Sequence, residues 1–284
     1  MENNIAPHIS VVVAVFNGQN TLQQCIDSIV EQRYANIEII VIDGGSTDAT
    51  TSILKTNDSL LAYWVSEPDR GIYHAWNKAL QKATGDWICF LGADDFFWAP
   101  SVLASMAIQL IQAPPDVQLV HGQVMLLSAE GESIYPVGRA WPDVGKQLRK
   151  MMCVPHPGAM HRRNFFDKHG EFDETFRIAG DYEMLLRGFS DDGTQAVFIP
   201  DLVTVGMRYG GLSSNPANSL AAMKESRKAQ KKYNDSWPNS SWIWGVLRIY
   251  LRLLIWKLLG EATGKRVLDL ARRMKGLPPY WTKV

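Results

Sequence analysis

Hydrophobic residues along this chain fall into short blocks that end on polar clusters. Residues 9–16 run into Asn17, residues 37–42 into Asp43-Gly44-Gly45-Ser46-Thr47-Asp48, and residues 87–91 into Gly92-Ala93-Asp94-Asp95. Blocks so short, β-branched and apolar on both alternating faces predict strands of a sheet covered by helices on its two sides. Helical spacing fills the gaps between them. Thr21 can cap a helix whose Leu22, Ile26, Ile29 and Val30 share one face, and a short helix is expected over 50–55. Trp76, Ala79 and Leu80 repeat that spacing over 73–83 until Gly85 stops it, and 101–112 follows Pro100 as a further helix before a strand at 117–127. Such βαβα order predicts a mostly parallel sheet with right-handed crossovers, whose ligands sit beyond the carboxyl ends of the strands. Pro136, Pro142, Pro155 and Pro157 break residues 133–161 into loops. Order returns over 181–189, where Tyr182, Leu185, Leu186 and Phe189 form a stripe, and a strand at 196–205 precedes Gly210-Gly211.

With 284 residues, 46% of them hydrophobic, the chain can bury one substantial α/β core and carry an appendage. A formal net charge of zero conceals a division: residues 220–284 hold fourteen Lys/Arg against four Asp/Glu, while the preceding residues hold fifteen against twenty-five. Cys25, Cys89 and Cys153 are odd in number and far apart, which suggests neither a disulfide framework nor a thiolate metal site. Residues 1–8 lack a basic stretch followed by an apolar core, so a cytoplasmic location is expected. No glycine-rich Walker loop occurs and no Gly-x-Gly-x-x-Gly follows the first strand, so P-loop hydrolysis and a standard dinucleotide site are both disfavoured.

Six ordered blocks carry a resemblance. They are Val-Phe-Asn-Gly (15–18), Val-Ile-Asp-Gly-Gly-Ser-Thr-Asp (41–48), Trp-Val-Ser-Glu-Pro-Asp-Arg-Gly-Ile-Tyr (64–73), Ala-Trp-Asn-Lys-Ala (75–79), Ala-Thr-Gly-Asp (83–86) and Leu-Gly-Ala-Asp-Asp (91–95). Together they resemble the inverting family-two glycosyltransferases of bacterial surface-polysaccharide synthesis, over roughly residues 9–215. The resemblance implies a GT-A fold, a Rossmann-like α/β domain with a mostly parallel central sheet flanked by helices. It also implies a catalytic domain over 1–215, with a nucleotide-sugar half at 9–100 and an acceptor half at 101–215.

The resemblance sets Ala14, Val15, Phe16, Asn17, Asp43, Ser46 and Arg70 around a base and ribose, with Asn77 as a supporting polar group. A uracil ring needs an acceptor for its N3–H and a flat apolar or cationic surface, which Asp43 and Arg70 can supply. An ordinary helix-capping turn is the alternative for 43–46. Adjacent carboxylates at a strand end suit Mn²⁺ or Mg²⁺ bridging a diphosphate, which makes Asp94 and Asp95 the metal candidates. The family motif often begins with Asp two positions earlier, where this chain has Gly92; which of Asp94 and Asp95 meets the ion and which the ribose stays open. Asp181 matches the family position of the catalytic base that takes the proton of the acceptor hydroxyl, with a helix cap as its structural alternative. Relatives often carry Glu immediately before it, where this chain has Gly180, and Glu183 is a weaker candidate base. His156 and His161 flank a Pro-Gly segment and do not share a helix face; the resemblance puts His156 near phosphate or acceptor. Gly210-Gly211-Leu212-Ser213 resembles a loop that closes over donor and acceptor, giving Gly211 and Ser213 as further candidates.

Residues 216–284 predict a basic helical tail. Residues 242–260 are almost continuously apolar, yet Arg248, Arg252 and Lys257 interrupt them, and each charge near a bilayer centre costs about 2.5–3.5 kcal/mol. A helix lying on an anionic inner membrane face fits this better than a spanning one, with Trp242, Trp244, Tyr250 and Trp256 at headgroup level. Lys224, Arg227, Lys228, Lys231 and Lys232 before it, and Lys265, Arg266, Arg272, Arg273 and Lys275 after it, can add attraction. Packing on the catalytic domain or in a homo-oligomer is the alternative, and no nucleic-acid reader fold accompanies the charge. The expected activity is metal-dependent, inverting transfer of a sugar, from a UDP-sugar, to a hydroxyl of a lipid-linked or growing saccharide. A catalytically silent nucleotide-sugar-binding scaffold is the rival, which the retained Asp43, Asp94, Asp95 and Asp181 disfavour. A nucleotidyltransferase would need a basic glycine-rich loop where Asn17-Gly18-Gln19-Asn20 carries no cation.

Overall fold

The computed structural model describes residues 6–190, 193–211, 216–233 and 237–284. Its first half runs β1 (Ile9–Val15), α1 (Leu22–Val30), β2 (Ile37–Asp43), α2 (Thr50–Thr56), β3 (Tyr63–Ser66), α3 (Ile72–Leu80), β4 (Trp87–Gly92), β5 (Phe96–Phe97) and α4 (Val102–Gln112). The second half continues with β6 (Val117–Leu127), β7 (Ser133–Val137), α5 (Val144–Leu148), β8 (Met160–Arg162), α6 (Arg163–His169), α7 (Gly180–Gly188), β9 (Gln195–Arg208), α8 (Ser219–Tyr233), α9 (Ser240–Leu259) and α10 (Glu261–Arg273). One sheet takes the order β3-β2-β1-β4-β8-β6-β9-β5, with β7 paired to β6.

The longest ladders are parallel: β1 lies between β2 and β4, and β6 beside β9. The short β8 runs antiparallel to both β4 and β6 and joins the two halves. Alternate residues explain why the strands read as unbroken apolar blocks. Val11, Val13, Ile39, Val41, Cys89 and Leu91 pack under α1 and α4, whereas Val12, Ile40, Ile42, Ile88 and Phe90 pack under α3, α6 and α7. Each such Val, Ile or Leu contributes about 1.5–3 kcal/mol on burial, so the two faces fix the register of the central strands. The result is the α/β sandwich that the alternation of elements predicts.

Several local expectations change. Thr21 precedes α1 but its side chain makes no capping hydrogen bond. Residues 133–161 are not only loops: they contain β7, α5 and the start of β8. α8 belongs to the packed core as much as to the tail. Its Ala229 is buried, and its Lys232 reaches the fully buried Glu183 of α7 (2.8 Å), which Arg187 also meets (3.2 Å). Glu183 is therefore the ionic anchor between α7 and α8, not a second base. Lys228, though exposed, is also tied to the catalytic domain, with its ammonium on the Thr175 hydroxyl (2.8 Å).

α9 turns one of its three cations in and several of its leucines out. Arg252 is buried, bonded to Ser219 Oγ (3.0 Å) and lying about 5 Å from the rings of Trp256 and Trp281. On the opposite side Trp244, Leu247, Leu251, Leu254 and Leu258 recur at helical spacing and are exposed. The expectation for four interfacial aromatics is corrected for two of them. Trp242 donates its indole N–H to the Met223 carbonyl (2.7 Å) and Trp256 packs on Trp281, leaving Trp244 and Tyr250 outward. The last segment folds back on the catalytic domain, where Arg272 covers both Tyr135 of β7 and Tyr280. Asp269 secures that segment by accepting the N–H groups of Tyr280, Trp281 and Thr282.

Candidate active site

Because β1, β2 and β4 run in parallel, their carboxyl ends open on one edge of the sheet. At the first of these ends Ala14 and Val15 close β1, Phe16 is 65% exposed, and Asn17 takes a left-handed backbone (φ 52°). Asn17 ties this end to the next: its N–H donates to Ser46 Oγ (2.7 Å) and its side-chain oxygen accepts the Thr47 N–H (2.9 Å). Asp43 lies beneath, fully buried, accepting the Ser46 N–H and hydroxyl and the Ser66 hydroxyl. The expectation of an open acceptor edge for a base at Asp43 is thus replaced by a buried carboxylate that shapes the Asn17–Ser46 rim. Asn77 is buried and fixes the chain at Phe172 through both its amide groups (2.9 and 3.0 Å). It also donates to Glu174 (3.1 Å), which in turn holds the exposed guanidinium of Arg70. Glu174 carries no local signal in the sequence; it acts on Arg70 from 104 residues away.

β4 delivers the acidic pair. Asp95 is 6% exposed and accepts the Gly92 N–H (3.0 Å). Burial first, and the neighbouring Asp94 second, push the Asp95 carboxyl well above the ordinary carboxylate range; burial raises Asp94 as well, while Arg208 opposes both. Two crowded carboxylates raised in this way form a site that a divalent cation would relieve. The glycine in place of the family's first aspartate stands close to both carboxylates. A Cβ at Gly92 would lie 2.6 Å from Asp94 Oδ1, so a side chain there would require the Asp94 carboxylate to shift. Among the described residues no group of three or more His, Cys, Asp or Glu could hold a metal ion.

Asp181 stands in the first turn of α7, but it is not the cap of that helix. Ala179 holds the cap position, and Glu225 of α8 accepts the N–H groups of Arg177 (3.0 Å), Ile178 (2.8 Å) and Ala179 (2.9 Å). The structural alternative for Asp181 is thus taken by a residue on another helix. Asp181 receives instead the Tyr73 hydroxyl (3.2 Å). A Cβ at Gly180 would sit 2.7 Å from the Tyr73 ring, so the accessory Glu common in relatives has no room here.

One cleft of about 660 Å³ joins Asp94, Asp95, Asp181, His156, Arg208 and Gly211. The Asn17–Ser46 rim and Arg70 lie outside its lining, at the adjoining strand ends. Ser213 and Leu212 lie outside the described residues. His156 is 3% exposed and stacks on Trp76 (5.1 Å between centroids); its Nε2 has no partner, and burial, opposed by Asp181, holds it below the ordinary imidazole range. His161 does not line the cleft. It is fully buried among Phe90, Phe165 and Phe166, and burial pushes it well below the usual range. Sequence reasoning missed Arg208, which closes β9, donates to Gln24 and lies over Phe96. Its only sequence signal is its place just before Gly210-Gly211.

Known proteins resemble this chain in sequence and in fold. The family model described as "Glycosyl transferase family 2" matches residues 10–175. A PGL/p-HBAD biosynthesis glycosyltransferase of Mycobacterium bovis is 30% identical over 215 residues, covering 74% of this chain and 80% of the relative. An uncharacterized glycosyltransferase of Mycobacterium tuberculosis is 35% identical over 187 residues, covering 64% and 69%. Among solved structures, S. aureus TarS 1–349 in complex with UDP-GlcNAc superposes with a TM-score of 0.60 at 16% identity, covering 81% of this chain and 68% of TarS. The mannosyltransferase PcManGT of Pyrobaculum calidifontis, in complex with GDP-Man and Mn²⁺, gives 0.59 at 23% identity, covering 93% and 76%. At such identities these structures speak to the fold.

Proposed function

The chain belongs to glycosyl transferase family 2 and is a nucleotide-sugar glycosyltransferase; within that activity we propose inverting, metal-dependent transfer from a UDP-sugar to a hydroxyl of a lipid-linked or growing saccharide in surface-polysaccharide assembly. The observation that carries this reading is the single cleft shared by the β4 acidic pair and Asp181. In the reaction the acceptor oxygen bonds to the anomeric carbon as the bond from that carbon to the diphosphate oxygen breaks. Asp181 takes the hydroxyl proton from the side opposite the leaving group, which inverts the configuration. Tyr73, donating to one Asp181 oxygen, leaves the other free to receive that proton. Arg208 faces the charge that develops on the departing diphosphate. Asp94 and Asp95 would hold Mn²⁺ or Mg²⁺, which when bound supplies Lewis-acid charge to the same oxygens. The Asn17–Ser46 rim, Phe16 and Arg70 bracket the nucleoside. UDP-GlcNAc bound to TarS supports the uridine donor, and Mn²⁺ bound with GDP-Man to PcManGT supports the metal. Screening nucleotide sugars for slow hydrolysis tests it without an acceptor. We expect release of UDP from one UDP-sugar, dependent on Mn²⁺ or Mg²⁺ and lost on chelation; release unaffected by chelator rejects the metal.

The tail supports peripheral attachment. No helix among the described residues is long and apolar enough to cross a membrane. The exposed stripe on α9, flanked by the exposed cations Arg248, Lys257, Arg266, Arg273 and Lys275, suits the surface of an anionic leaflet. Lys228 and Lys232 are exposed as well, but their ammonium groups are already engaged by Thr175 and Glu183. In flotation with vesicles containing phosphatidylglycerol, the wild-type chain is expected to float. The double variant Leu251→Glu, Leu258→Glu, altered only where side chains are exposed, is expected to stay at the bottom. Equal flotation of the two would remove the attachment from α9.

A further inference from the structure

Beyond the reaction centre the cleft runs along a wall that the sequence pattern leaves as loop. Val137 at the end of β7, Trp141, and Met152 and Val154 on the way into β8 face the same space as Ile72 and Ile178. Trp141 is held in place from two sides. Its indole N–H donates to the Cys153 carbonyl (3.3 Å), and the Arg139 guanidinium lies 3.8 Å from its ring centroid. Apart from Arg139, every charged or imidazole side chain lining the cleft belongs to the reaction centre: Asp94, Asp95, His156, Asp181 and Arg208. A sugar ring can stack its C–H face on Trp141, but Arg139 is the one charged side chain of this wall to meet its hydroxyls, so most of them would be left to water. A flat aromatic or an alkyl group would lose only water.

We propose that this wall binds the apolar aglycone of the acceptor, and that the accepting hydroxyl lies on that aglycone or on the first sugar attached to it. This rests on the reading of Asp181 as the base, because the wall matters only if the attacking hydroxyl is delivered beside that carboxylate. The bonds exchanged are those of the main reaction; the aglycone changes no bond and serves to bind and orient. The lining gives it a way out. Ala222 and Ser226 of α8 border the same cleft, and Met223 between them accepts the Trp242 indole of α9. An aglycone too long for the cleft thus leaves alongside the helix whose apolar stripe is exposed. The wall therefore selects the lipid-proximal end of an amphipathic acceptor over the distant end of a long saccharide.

Matched methyl, phenyl and octyl glycosides of glucose, galactose, mannose, N-acetylglucosamine and rhamnose test this by saturation-transfer NMR on the full chain with UDP and Mn²⁺. Phenyl or octyl members are expected to bind at least tenfold more tightly than their methyl partners. Phenyl above octyl marks an aryl aglycone, and the reverse an alkyl one. Trp141→Ala, and independently Met152→Gln, should remove that preference while changing methyl-glycoside binding less than twofold. Equal binding of methyl and phenyl or octyl members, or a preference that survives both variants, overturns the proposal. Binding that survives both variants but is lost in Leu251→Glu, Leu258→Glu would assign it to the α9 surface and overturn it too. Donor hydrolysis by the wild-type chain reports separately on the activity, so the two readings fail independently.

Discussion

Asp181→Asn is expected to lower sugar transfer by about a thousandfold, within the range that a positioned general base supplies, while donor affinity changes less than threefold. The substitution is nearly isosteric, and its amide oxygen can still accept the Tyr73 hydroxyl, so the start of α7 keeps its shape. What disappears is the ability to take a proton. Glu225 continues to hold the three N–H groups ahead of the helix, so no capping energy is lost and the melting temperature should move little. Transfer followed by nucleoside diphosphate release, together with calorimetric titration of donor, separates the two effects. Turnover within threefold of wild type would dismiss Asp181 as the base.

For Asp95→Asn, activity and stability are expected to change in opposite directions. Transfer should fall about a hundredfold or more with loss of the charge that orients the cation and diphosphate. Metal-free stability near neutral pH should rise. The sign follows from linkage: the folded state raises this carboxyl above its unfolded value, so it binds its proton more tightly folded than unfolded. Its penalty is absent below the unfolded value and grows as pH climbs through the raised folded one. An amide never ionises and escapes that penalty. The same proton competes with a cation, so apparent Mn²⁺ affinity of the wild-type chain should weaken on acidification. Thermal melts with and without Mn²⁺ check both points. A lower metal-free melting temperature for the variant, or an undiminished Mn²⁺ gain, would contradict the assignment.

Legibility in the sequence tracked how local each signal is. β1, β2 and β4 were readable because burial on both faces makes a strand uniformly apolar, and the polar cluster after each marks its carboxyl end. β3, β5 and β8, of four, two and three residues, are too short to show a period. Residues 133–161 were opaque for a different reason: many of their apolar side chains face a cleft rather than the core, so they follow neither helical nor strand spacing. Asp94, Asp95 and Asp181 stood out through ordered motifs. Glu174, Glu225 and Arg208 did not, because each acts on a partner between 46 and 184 residues away and nothing beside it betrays the pairing. The missing family acid at Gly180 has its reason in the buried Tyr73 ring, which occupies the space and lies over a hundred residues away in the chain.

The grip of Glu225 on the chain before α7 bears on how small a working enzyme can be. The family match stops at residue 175, ahead of Asp181, and well short of this carboxylate. Trimming the gene at that limit would remove Asp181 together with α7, and trimming at the start of α8 would leave the turn that carries Asp181 without its clasp. Minimal versions for crystallography or engineering should therefore retain residues through Tyr233, even where attachment to lipid is unwanted.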